Sequence, residues 1–104
     1  MTNKEIADLL LPGINVTPEE IEARYADRNL KEGALVTRFA PSPTGFVHMG
    51  SLYGSLIDMV YAKQSKGVYY LRIEDTDGER TVENGIENIV RDLKTFDIEF
   101  MEGP

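Results

Sequence analysis

Hydrophobic positions along this chain alternate between helical and strand-like rhythms, and those changes lay out its elements. Ile6, Leu9 and Leu10 recur at helical spacing behind Thr2-x-x-Glu5, a capping box in which Thr caps the third amide and Glu reaches back. Thr17-x-x-Glu20 repeats the signal, with Pro18 at the first helical position and Ile21 and Tyr25 as a thin apolar stripe. The pattern predicts helices from Asn3 to about Leu11, halted by Pro12-Gly13, and from Pro18 to about Arg28. Helices this short do not persist alone in water, so both are expected to pack on the rest of the protein. Leu35-Val36-Thr37-Arg38-Phe39 then reads as a buried strand, and Val68-Tyr69-Tyr70-Leu71-Arg72-Ile73 as a second one.

Between the strands, helical periodicity runs from His48 to about Ser65. Leu52, Leu56, Met59, Val60 and Lys63 follow one face, and Tyr53, Ile57 and Tyr61 a neighbouring one. Apolar residues over so wide an arc predict a helix with much of its surface buried. Lys63 and Lys66 suit its negative end, and Gly67 is the expected stop. Past the second strand, Ile86, Ile89, Val90, Leu93 and Phe96 stripe a helix from Glu83 to Phe96, and Ile98-Glu99-Phe100 begins another short strand. Two strands joined by one helix form a right-handed βαβ unit, so the fold class is α/β with a parallel sheet. The carboxyl ends of both strands share one sheet edge, where ligands bind in open α/β sheets.

The turn at that edge is the chemically informative stretch. Pro41 to Ser51 reads Pro-Ser-Pro-Thr-Gly-Phe-Val-His-Met-Gly-Ser. Pro41 and Pro43 lock their own φ and push Ala40 and Ser42 toward extended geometry, so the loop is stiff before any ligand arrives. Gly45 can take a positive φ, and Gly50 leaves the first helical turn open to a flat base or a ribose. Free amides and the helix dipole favour phosphate at that helix start, where His48 can donate to a phosphate oxygen. In isolation the same residues also read as a proline-rich turn closed by a capping histidine.

Composition narrows the setting. The chain has 104 residues, no cysteine, and a formal net charge of −7. Lacking cysteine, it has neither a disulfide framework nor a thiolate metal site. No apolar stretch approaches the ~18–20 residues that span a bilayer, and Met1 to Glu5 lacks a signal peptide's pattern, which fits the cytoplasm. The negative charge argues against this stretch gripping a nucleic-acid backbone by bulk electrostatics. Asp75-x-Asp77-Gly78 lacks the later ligands of an EF-hand loop, so these aspartates are expected to cap amides and pair with Arg80, and no protein-held metal is predicted.

Arg38-Phe39-Ala40-Pro41-Ser42-Pro43-Thr44-Gly45, followed two residues on by His48-Met49-Gly50-Ser51, resembles the first signature of the class I aminoacyl-tRNA synthetases in its bacterial glutamyl form. Met49 stands where an aliphatic residue is usual, and Ser51 replaces a final histidine. Leu71-Arg72-Ile73-Glu74-Asp75-Thr76-Asp77, with Arg80, is similar to the glutamyl and glutaminyl pattern. So is the ending from Leu93-Lys94 to Glu102-Gly103-Pro104, although that family usually carries a Gly near Asp97.

The resemblance implies a partial Rossmann-like nucleotide-binding fold over residues 35–104, the first half of a catalytic domain, behind a helical extension over residues 1–34. It implies activation of glutamate by ATP, with Mg2+ carried on the ATP, and transfer to tRNA(Glu). On it, His48 and Gly50 are the catalytic signature, and Pro41, Ser42, Pro43, Thr44, Gly45, His48, Gly50 and Ser51 hold ATP. Arg38, Ser42 and Glu74 hold glutamate through its carboxylate and ammonium; a mutual Arg38–Glu74 ion pair is the alternative reading of those two. No Lys-Met-Ser-Lys-like string occurs, so the chain is expected to be the opening piece of a synthetase and not to run the reaction alone. Three other readings stay open: a truncated paralogue that glutamylates a modified tRNA base, a non-catalytic nucleotide- or partner-binding fragment, and a general α/β nucleotidyl transferase.

Overall fold

The computed structural model describes all residues, Met1 to Pro104, in the order α1 (Asn3–Leu10), α2 (Pro18–Arg24), β1 (Val36–Phe39), α3 (Met49–Ser65), β2 (Val68–Leu71) and α4 (Gly85–Thr95). Both predicted capping boxes form. Thr2 and Thr17 each accept from the amide three residues on, and Glu5 and Glu20 accept the cap residues' own amides. α2 ends earlier than expected, at a non-helical Tyr25, because its stripe offers no apolar contact to hold another turn.

β1 and β2 pair in parallel, with Val36 opposite Val68 and Phe39 opposite Leu71. The ladder outlasts both strands: the Arg72 amide donates to the Phe39 carbonyl at 2.9 Å, and the Glu74 amide to the Pro41 carbonyl at 2.9 Å. Thr37 Oγ1 donates to the Asp58 carbonyl at 2.7 Å, so the face carrying Thr37, Phe39, Tyr69 and Leu71 looks toward α3. There the core gathers Leu52, Met59, Ala62, Tyr69, Leu71, Ile89, Leu93 and Ile98. No helix of the chain is long and apolar enough to cross a membrane.

Several expectations need correction. α3 does not bury a wide arc; its buried stripe is Leu52, Ser55, Met59 and Ala62, while Tyr53 and Tyr61 are exposed. Small residues lie on that stripe because the helix sits directly on the sheet. Ser55 is there to bond the buried Tyr69 hydroxyl, whose phenol burial pushes up in pKa and the Ser55 bond only partly restores. Gly67 stands just past the end of α3, where the stop was expected, but it is not the left-handed residue. Lys66 takes that conformation at φ 57°, and Gly67 closes the helix by donating to the Ala62 carbonyl at 2.8 Å. The third strand is not at Ile98–Phe100 either. Ile98 plugs the core, and pairing begins at Met101 and Glu102, which bond Tyr69 and Leu71 at 2.8 and 3.0 Å. The chain turns into that rung through Asp97 at φ 56°, a left-handed position where glycine costs least.

The N-terminal helices contribute nothing to the core, contrary to the packing expected of them: neither has a buried residue. The molecule is consequently elongated, with a radius of gyration of 18.1 Å against about 13 Å for a compact chain of this length. A clasp ties the segment back. Arg28 donates from Nε and Nη2 to Glu102 at 2.8 and 2.7 Å, and its guanidinium lies over the Tyr70 ring, 5.8 Å from the centroid. Arg28 holds the Glu102 carboxyl below its ordinary value of 4.5. A depressed carboxyl stabilises above its unfolded pKa and loses that contribution as pH falls through the folded one. The clasp is therefore expected to stay shut at neutral pH and open in acid below about 4.5. The Arg28 Nε proton resonance checks this; opening on the alkaline side of pH 6 would contradict it.

Candidate active site

The predicted turn sits where the sheet-edge rule puts it. β1 delivers the chain to Pro41, the proline-stiffened loop crosses the carboxyl end of the sheet, and α3 departs from His48. Pro41, Ser42, Thr44, Gly45, His48 and Ser51 line a cleft of about 450 Å³ together with Phe39, Ala40, Phe46, Val47 and Ile89. Gly45 has φ 150°, the positive value expected of it. His48 occupies the cap position in extended geometry, yet its side chain makes no capping bond. The first amides of α3 are left without an internal partner, and the exposed imidazole stands beside them. A Cβ on Gly50 would meet nothing within 4 Å, so no contact inside the chain demands glycine there.

Not every predicted residue lies in that cleft. Pro43 is buried beneath it. Arg38 and Glu74 lie to one side, on adjacent ends of the paired strands. Arg38 stands opposite Tyr70 and, by strand alternation, shares the sheet face turned away from α3. Glu74 is joined through its backbone to Pro41, the first residue of the loop. The two do not pair with each other: Glu74 Oε1 is 3.8 Å from Arg72 Nε, and no ion pair engages Arg38. Asp77 pairs with Arg80 as expected, and that bond lowers the Asp77 carboxyl's pKa.

The periodicity of α4 did not reveal that this helix braces the loop. The Val82 amide donates to the Pro43 carbonyl at 3.0 Å, and a Cβ on Gly85 would come within 2.6 Å of that oxygen. Ile89 forms part of the cleft wall. The Val47 amide donates to Asp92 Oδ2 at 3.4 Å. Only Asp92's position beside the apolar stripe, three residues after Ile89, hinted at a carboxylate turned partly inward.

A parallel strand, a stiff turn and an unencumbered helix start closing on one cleft define a nucleotide-binding half-fold of the class I synthetase kind. The family described as tRNA synthetases class I (E and Q), catalytic domain, matches residues 34–104, and the chain belongs to that family. It is 48% identical over 103 residues to the glutamate–tRNA ligase of Clostridium perfringens (strain 13), a match covering 99% of this chain and 19% of that relative. The sequence of the N-terminal helices is thus included in the similarity. Among solved structures, glutamate–tRNA synthetase from Elizabethkingia anophelis is 39% identical with a TM-score of 0.64, covering 68% of this chain and 15% of that one. The glutamate–tRNA ligase of Elizabethkingia meningosepticum, solved in complex with its amino acid, is 40% identical with a TM-score of 0.63, covering 70% and 15%. The chain therefore spans about a fifth of the length of the curated relatives it matches.

Proposed function

We propose that this chain is part of the catalytic domain of a cytoplasmic glutamate–tRNA ligase, the part that holds ATP and glutamate. The observation that carries the reading is the cleft at the end of β1, whose open helix start and loop coincide with the synthetase signature. Similarity at 48% identity to a glutamate–tRNA ligase favours this over the truncated paralogue and over a general nucleotidyl transferase. A solved relative is complexed with its amino acid, which supports an amino-acid subsite in the parent ligase.

The chemistry needs no covalent nucleophile from the protein. A carboxylate oxygen of glutamate attacks the α-phosphorus of ATP, forming a P–O bond as the bond to pyrophosphate breaks. A ribose hydroxyl at the tRNA 3′ end then attacks the adenylate carbonyl, and AMP leaves. The protein's part is positioning and stabilisation of developing charge on the phosphate. The α3 amides and His48 face that charge, Ser42 and Thr44 add hydroxyls, and Arg38 and Glu74 offer opposite charges to the two ends of the amino acid. Mg2+ is assigned to the ATP phosphates, and Asp77 pairs with Arg80 at the surface. tRNA is gripped by parts of the ligase outside this acidic stretch.

The test is glutamate-dependent exchange of pyrophosphate into ATP by the full-length ligase, with glutamine and aspartate alongside. Exchange driven equally by another amino acid overturns the reading. His48→Ala is expected to slow adenylate formation on the order of a hundredfold, the scale for losing one preorganised donor to a developing oxyanion. An unchanged single-turnover rate would leave His48 only its place at the helix start.

A further inference from the structure

We infer that Asp92 is a positioning residue for the ATP subsite, holding the signature loop in register from the far side of the cleft. The inference rests on the ligase reading above. Asp92 sits on α4, and its side chain is only 19% exposed. Its two carboxylate oxygens are differently engaged. Oδ2 accepts the Val47 amide at 3.4 Å, and Oδ1 accepts from Arg91 Nη2 at 3.2 Å.

The Val47 contact bridges 45 residues of sequence and falls immediately before the α3 cap. Fixing the Val47 amide fixes the Phe46–Val47 peptide, one residue before His48, and so constrains the approach of the chain to the free α3 amides. The other contacts from this region act further back: Val82 and Gly85 hold Pro43 at the loop's start. Asp92 supplies the side-chain hydrogen bond that reaches its end. Ile89, one turn earlier on the same helix, lines the cleft, so the helix both walls the subsite and anchors its rim.

A carboxylate so near a phosphate-binding rim would by itself repel the ligand. Arg91 on Oδ1 offsets that charge while Oδ2 keeps the amide. An ion pair between sequence neighbours is ordinarily a surface decoration of little consequence. The amide bond across 45 residues sets this one apart. Arg38 and Glu74, at the strand ends, receive no contact from Asp92, so the effect belongs to ATP and not to glutamate.

The experiment compares Asp92→Ala and Asp92→Asn in the full-length ligase. Pyrophosphate exchange gives kcat and separate KM values, and amide hydrogen exchange reads the loop directly. Asp92→Ala is expected to raise the KM for ATP on the order of tenfold, to leave the KM for glutamate within about twofold, and to hasten Val47 amide exchange while the Arg72 amide, bonded to Phe39, stays protected. Asp92→Asn keeps an oxygen for the amide and is expected to recover most of the ATP affinity. A lower melting temperature with an unchanged KM for ATP would overturn the proposal, as would equal rises in both KM values. If the wild-type enzyme shows no glutamate-dependent exchange, the ligase reading has failed separately. Val47 protection then decides the anchoring alone: unchanged protection in Asp92→Ala overturns it, and faster exchange supports it.

Discussion

Arg38→Ala in the full-length ligase is expected to raise the KM for glutamate about a hundredfold while the KM for ATP moves less than about threefold. The asymmetry follows from where Arg38 is held. β1 carries it at the end of a paired strand, beside and not within the cleft that takes the nucleotide. Its guanidinium has no internal ion pair, so it remains available for a substrate carboxylate. A charge-assisted, two-pronged contact contributes about 1.5–3 kcal/mol, and about 2.7 kcal/mol corresponds to about a hundredfold. Arg38→Lys keeps the charge but loses the planar fork, and about tenfold of the defect is expected to return. Equal effects on both substrates would remove Arg38 from the amino-acid subsite.

Gly67→Ala is expected to cost about 4 kcal/mol of folding stability, near the upper end for a single substitution. An added Cβ would lie 1.8 Å from the Leu35 carbonyl oxygen, and the opposing atoms are backbone that cannot swing aside. That carbonyl accepts the Val68 amide at 3.0 Å, the first rung joining β1 to β2, and the Leu35 amide is itself tied down, donating to Ser65 Oγ at 2.9 Å. Moving Leu35 therefore breaks the start of the sheet. Gly54→Ala is the matched control. A Cβ there meets nothing within 4 Å inside α3, so the change is expected to stabilise by about 0.5–1 kcal/mol. Urea unfolding reads both; a Gly67→Ala midpoint equal to the wild type would dismiss the clash.

The features legible in the sequence are those whose cause lies within a few residues. The capping boxes at Thr2 and Thr17 need only a partner three positions away, and both form. The proline-stiffened loop and its helix start are local too, and they place the cleft. Parallel pairing follows from two β-rich runs separated by one helix. The features that escape depend on partners distant in sequence. Hydrophobicity points to Tyr53 and Tyr61 for the core, but the sheet accepts Ser55 and Ala62 because of close approach and the Tyr69 hydroxyl. Gly67 reads as a stop signal, since nothing near it in sequence announces Leu35. The third rung falls later than the β-rich run suggests because Ile98, which fits a strand, is needed by the core. Asp92 and Gly85 look like ordinary helix residues until Val47 and Pro43 lie against them.

The clasp between Arg28 and Glu102 has a consequence for the order in which the molecule assembles. It closes a span of 74 residues, whereas β1, α3 and β2 form one continuous stretch whose contacts close over shorter loops. Loop-closure entropy rises with the length enclosed, so shorter-range pairing forms first and lowers the cost of closing the longer span. Glu102 bridges to Tyr70, the residue over which Arg28 lies, so the clasp has a seat only after β2 is in place. Arg28 thus docks late on a finished sheet, and the N-terminal segment samples solution through most of the folding reaction.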